Sequence, residues 1–75
     1  MRVIVYGPQG CGKTRNSERL RKHYGMRQVE DWDGGHRYIP LNTLVLTNIP
    51  PAELPPELTK NAKIVSFEEA MNAST

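Results

Sequence analysis

Arg2 to Tyr6 (RVIVY) form a continuous apolar, β-branched run. It leads without a break into Gly7-Pro8-Gln9-Gly10-Cys11-Gly12-Lys13-Thr14. No other stretch restricts the fold as much. An apolar run with no polar alternation, ended by a glycine-rich turn, reads as a strand covered on both faces, the kind found in parallel sheets. Parallel strands need crossover connections, so the chain must form layers on both sides of the sheet.

The residues after the strand fit G-x-x-x-x-G-K-[ST] at every fixed position. The chemistry behind this spacing is anion binding. Phosphates need donors on all sides, so the backbone must wrap them closely. Glycines such as Gly7 and Gly12 allow torsions and approaches that a Cβ would block. Successive N–H groups then make an anion nest, and a helix beginning at Lys13 would aim its positive end at the same charge. On this reading Gly7 to Thr14 cradle the phosphates of a nucleotide. Lys13 reaches the outer phosphates and Thr14 places its hydroxyl on Mg²⁺.

The remaining elements follow from pattern. The first helix is expected over Lys13–Tyr24, stopped by Gly25, with a thin apolar stripe at Leu20 and Tyr24. Residues 27–31 form a weaker strand around Val29. It runs into the turn signal Asp31-Trp32-Asp33-Gly34-Gly35. Residues 34–42 hold too few residues, and a proline, for a crossover helix. Thr43–Thr47 (TLVLT) is the second strong strand. Residues 52–61 have room for one helical turn, with Pro56 as a helix-starting residue. Lys63–Ser66 is the last strand, and Ser66-x-x-Glu69 is a capping box opening a short helix to about Ala73. Strands alternating with helices and loops predict an α/β domain with about four mainly parallel strands.

Composition narrows the class. Seventy-five residues make one domain, residues 1–75. A domain this size buries only roughly 60% of the surface its unfolded chain exposes, so the chain is either a pared-down fold or one completed by a ligand or partner. The net charge of +2 is too small to make nucleic acid the main ligand. The cluster Arg15, Arg19, Arg21 and Lys22 leaves that partner open, against the plainer reading of a solvated face interleaved with Glu18. One cysteine allows no internal disulfide. No apolar run approaches the roughly 18 residues of a membrane span. With a strand at the very start, no signal peptide is expected, and a cytoplasmic location follows.

The segment RVIVYGPQGCGKT resembles the opening of a P-loop NTPase with its Walker A motif. The GPxGxGKT form is similar to small-molecule and nucleotide kinases and to AAA-type ATPases. The likeness is specific over residues 2–14 and looser beyond about Asp33. It implies a minimal three-layer P-loop fold, with TLVLT beside RVIVY, the 27–31 strand at one edge and KIVS at the other. It also implies Mg²⁺ with ATP, or GTP as the second choice, bound at the carboxyl ends of the strands.

Phosphoryl transfer needs a metal as well as a cradle, and Mg²⁺ is usually held by one or two carboxylates plus phosphates and water. Asp31 and Asp33 are the candidates. Two apart in an extended segment, they point the same way. Their placement is similar to the acidic pair of shikimate and gluconate kinases, which implies Asp31 near Mg²⁺ and Asp33 as base or acceptor ligand. The alternative is that D-x-D-G-G is turn chemistry alone. A usual Walker B carboxylate is missing, because TLVLT ends in Thr47-Asn48. Asn48 resembles the polar sensor position of AAA-type ATPases and would orient a nucleophile, or it is a turn former before Pro50.

His36 and Arg37 in loop 34–42 are the only counterpart of a kinase lid, with Arg37 either charge-neutralising or an ordinary surface residue. Trp32 and Tyr38 either stack on a base or cover the sheet edge. Cys11, near Lys13 and a helix start, is a thiol of lowered pKa or simply a variable loop position. Two functions emerge: an NTPase or kinase-like enzyme using Lys13, Asp33 and Asn48, or a nucleotide-binding module that works with a protein or nucleic-acid partner, or with a second copy of itself, and turns over little.

Overall fold

A computed structural model describes residues 1–8, 10, 12–35 and 37–74. Gln9, Cys11 and His36, named above as loop residues, lie outside the described residues. The chain forms a three-layer α/β domain. Its elements are β1 (Arg2–Tyr6), α1 (Ser17–Tyr24), β2 (Gln28–Asp31), β3 (Thr43–Thr47), α2 (Pro56–Thr59), β4 (Ala62–Ser66) and α3 (Phe67–Ala73), with a 3₁₀ turn at Pro51–Glu53. All pairings are parallel and the strand order is β2-β3-β1-β4. This is the arrangement expected from the sequence, with the two apolar strands at the centre.

The period of two in β1 and β3 divides the core. Val3, Val5, Leu44 and Leu46 face one side, where they pack with Leu20 of α1, Met26, Val65 and Ala70 of α3. Ile4 and Val45 face the other, under Trp32, Ile39, Leu54 and Leu58. Each central strand is therefore buried on both faces, which is why its sequence shows no alternation. From β1 to β2 the chain passes over β3 on the α1 face. From β2 to β3, and from β3 to β4, it moves the opposite way over the opposite face. All three crossovers thus share one hand, as strand twist requires. Connections leave β1 and β3 on opposite faces, so a crevice opens between their carboxyl ends.

Three expectations are corrected. First, α1 begins at Ser17 rather than Lys13. Gly12 adopts φ +100°, the Asn16 side chain donates to the Gly12 carbonyl at 2.9 Å, and Ser17 N–H bonds to Thr14 O. Residues 13–16 are spent on a turn before the α-helical ladder starts. The C-terminal stop holds, with Gly25 left-handed at φ 68° and donating to Arg21 and Lys22 carbonyls. Second, Trp32 covers a face of the sheet rather than its edge. It is 6% exposed and roofs Ile4 and Val45. Third, Tyr38 is largely exposed, at 75%, rather than packed as a cover for the sheet edge.

A buried arginine explains the Trp32 result. Arg2 donates from Nε to Ile39 O (2.8 Å) and from Nη1 to Lys60 O (3.0 Å). Those bonds draw loop 34–42 over the sheet face and seat Ile39 beside Trp32. At the other end, the N-cap half of the capping box forms: Ser66 Oγ accepts from Glu69 N–H at 3.0 Å, while the Glu69 carboxylate accepts from the Ser66 hydroxyl at 3.2 Å. Among the described residues, no helix is long and apolar enough to cross a membrane.

Candidate functional site

A cleft of about 560 Å³ opens at the carboxyl ends of β1, β2 and β3. It coincides with the crevice that the topology creates. Three segments line it: Gly10 and Gly12 to Arg15 after β1, Asp31 to Asp33 after β2, and Leu46 to Asn48 at the end of β3. They meet because the sheet places them there. Gly7 N–H bonds to Thr47 O at 3.1 Å, tying the start of the loop to β3. Trp32 N–H bonds to Leu46 O at 2.9 Å, carrying the β2–β3 ladder one residue further. Trp32 then points to the far face. Asp31 and Asp33, on the opposite pleat, line the same cleft.

The loop is held by its own lysine. Lys13 is 8% exposed and donates from Nζ to the carbonyls of Gly7 and Pro8, each at 2.9 Å. The positive φ values at Gly10 (82°) and Gly12 (100°) turn the backbone where the loop is tightest. A Cβ on Gly12 would come within 3.3 Å of Asn16 Nδ2 and 3.7 Å of Phe67 Cζ. Glycine is required there by both torsion and space.

Of the residues singled out in the sequence, Gly10, Gly12, Lys13, Thr14, Asp31, Asp33 and Asn48 come together in this cleft. Gly7 and Pro8 do not. They line a neighbouring cleft of about 510 Å³ on the β4 side of the loop, with Asn48 shared between the two. Arg37 takes no part. It bonds to Glu30 Oε1 at 2.7 Å and to the backbone carbonyl of Asp31, which clips loop 34–42 to the edge of β2. Sequence reasoning missed Arg15, which it placed on a solvated helix face. The delayed start of α1 leaves Arg15 in the cleft wall, and its position directly after Thr14 was the available signal.

Electrostatically the cleft is divided, with Lys13 and Arg15 after β1 facing Asp31 and Asp33 after β2. Among the described residues, no group of three or more His, Cys, Asp or Glu is gathered. An ion held here would take most of its ligands from a phosphate and water, the usual habit of Mg²⁺. Thr14 and the two aspartates offer hard oxygen donors beside a basic group, a set that suits Mg²⁺ rather than a softer metal. The rest of the basic cluster on α1 is partly engaged. Arg21 donates to the Glu18 carboxylate and to Met26 O, and its hydrogen bond holds the Glu18 carboxyl below its ordinary value.

No protein-family model matches the chain, and neither curated proteins nor solved structures give a significant match to it.

Proposed function

We propose that this chain binds a nucleoside triphosphate with Mg²⁺ and acts as a minimal NTPase or kinase-like phosphoryl-transfer domain. One observation carries the reading. The residues the G-x-x-x-x-G-K-T spacing nominates, and the aspartates chosen from a separate stretch, line a single cleft at the topological switch point of a parallel sheet. The sheet alone brings the three segments to one edge; what supports the reading is that the residues set there are a lysine, a hydroxyl and two carboxylates, the groups a Mg²⁺-nucleotide needs.

The roles follow from chemistry. Lys13 and the loop N–H groups hold the phosphates. Thr14 and Asp31 would hold Mg²⁺, which on binding neutralises charge on the phosphoryl oxygens. Asp33 accepts the proton of an attacking hydroxyl or water, and Asn48 orients that nucleophile. Arg15 supplies a further cation to the charge that develops on transfer. Loose phosphoryl-transfer transition states depend on such positioning more than on covalent chemistry.

A second reading is supported by two observations. β3 ends in Thr47-Asn48 with no carboxylate after it, and Arg37 is committed to Glu30 and Asp31 instead of the cleft. Both fit a nucleotide-binding module with little turnover. Calorimetric titration of ATP, GTP and ADP with and without Mg²⁺, followed by phosphate-release assays on the same mixtures, separates the two. Mg²⁺-dependent binding with turnover supports the enzyme. Binding without turnover supports the module. No binding of any nucleotide removes both.

A further inference from the structure

We infer that the second cleft, on the β4 side of the loop, receives the base of the same nucleotide, and that Glu68 selects guanine there. This rests on the nucleotide reading above. The cleft of about 510 Å³ is lined by Tyr6, Pro8, Asn48, Pro50, Phe67 and Glu68 among others. Asn48 lines both clefts, and the segment after β1 contributes Gly7 and Pro8 to this one and Gly10, Gly12 and Lys13 to the first. A ligand with its phosphates in one cleft would reach the other past Asn48.

The two linings divide the work. The first cleft presents charged groups on both sides, which suits phosphates and an ion. The second presents ring and proline surfaces from Tyr6, Pro8, Pro50 and Phe67, which suit a flat heterocycle. Phe67 is fixed in place. It is half-buried against the core at the start of α3, with its Cζ 3.7 Å from where a Cβ on Gly12 would lie. Trp32, the aromatic residue beside the first cleft, is buried against Ile4 and Val45 on the opposite face of the sheet. The second cleft is therefore where a base finds apolar cover.

Glu68 decides between bases. It is exposed at the rim of this cleft and its carboxylate only accepts hydrogen bonds. The guanine edge offers two adjacent donors, N1–H and the 2-amino group, which match a carboxylate's two oxygens. The adenine edge offers one amino donor beside the N1 lone pair, which a carboxylate repels. Hydrogen bonds to a charged group make this worth about tenfold or more in affinity. This reverses the base order expected from the sequence.

The test is calorimetry in Mg²⁺ with GTP, ITP, ATP and inorganic tripolyphosphate, on the wild-type chain and on Glu68→Gln. The expected order is GTP at least about tenfold tighter than ATP and tighter than tripolyphosphate. ITP, which keeps N1–H but lacks the 2-amino group, falls between GTP and ATP. Glu68→Gln weakens GTP by about tenfold while tripolyphosphate stays within about twofold. If nucleotides bind no tighter than tripolyphosphate, the second cleft holds no base. If ATP equals or exceeds GTP and Glu68→Gln changes neither, Glu68 selects nothing. In both cases tripolyphosphate binding leaves the phosphate loop standing. If tripolyphosphate also fails to bind, the nucleotide reading falls together with this one.

Discussion

Lys13 Nζ lies 2.9 Å from the carbonyl oxygen of Gly7, so the residue that ends the loop is bonded to the residue that begins it. The same ammonium reaches the Pro8 carbonyl. The lysine is thus already at the loop when a phosphate arrives, and little side-chain entropy remains to be lost on binding. Lys13→Ala is expected to abolish measurable Mg-nucleotide binding. The carbonyls it releases lie near solvent, so stability should fall by only about 1 kcal/mol. Calorimetry and urea titration read the two effects separately. Retained affinity in a folded variant would remove the phosphate-loop reading.

Asp31→Asn tests the aspartates. The Asp31 side chain is exposed, and its backbone carbonyl, not its carboxylate, receives Arg37. Stability should change by no more than about 0.5 kcal/mol. The Mg²⁺ concentration needed for half-maximal nucleotide binding should rise by about tenfold or more, as for loss of an outer-sphere carboxylate. An unchanged Mg²⁺ requirement would return Asp31-Trp32-Asp33 to turn chemistry.

Tyr24 links the α1 face to pH. Burial raises its phenol above the ordinary value of 10.0, and the nearby Glu69 charge adds to the shift. The folded state therefore keeps the proton more tightly than the unfolded chain does. The contribution is fully present below pH 10 and is lost as pH rises through the raised value. Wild type should lose stability relative to Tyr24→Phe as pH rises above 10.0, with no such difference in the neutral range. Parallel urea titrations of both proteins across that range give the answer, and identical alkaline limbs would mean that Tyr24 titrates as it does in the unfolded chain.

The four strands and the Ser66 N-cap were legible because each is written locally, whereas the strand order came from the resemblance to small P-loop kinases. Central strands buried on both faces show as unbroken apolar runs, and a capping box needs only three residues of spacing. The convergence of Lys13 with Asp31 and Asp33 was legible because parallel strands bring all their carboxyl ends to one edge. What was not legible depends on contacts distant in sequence, or on one side chain competing with the backbone. Trp32 is buried because Arg2 binds the carbonyl of Ile39, 37 residues away. No window around Trp32 holds that information. The start of α1 is delayed because the Asn16 amide takes the Gly12 carbonyl, a competition that helical periodicity does not register.

Gly10 and Gly12 separate torsional need from spatial need within the same loop. Both have positive φ, so alanine at either is strained. Around Gly10 nothing lies within 4 Å of the new Cβ, whereas at Gly12 the methyl group meets Asn16 Nδ2 at 3.3 Å and Phe67 Cζ at 3.7 Å. Asn16 Nδ2 is the group that bonds the Gly12 carbonyl, so moving it away also loosens the turn before α1. Gly10→Ala should cost about 1 kcal/mol from strain alone. Gly12→Ala should cost more, about 2–3 kcal/mol, and on a domain of this size that corresponds to a melting temperature lower by roughly 8–20 °C. Thermal unfolding of the two single variants followed by circular dichroism measures the gap. Equal costs would mean that Asn16 and Phe67 yield without penalty, and that Gly12 is needed for its torsion alone.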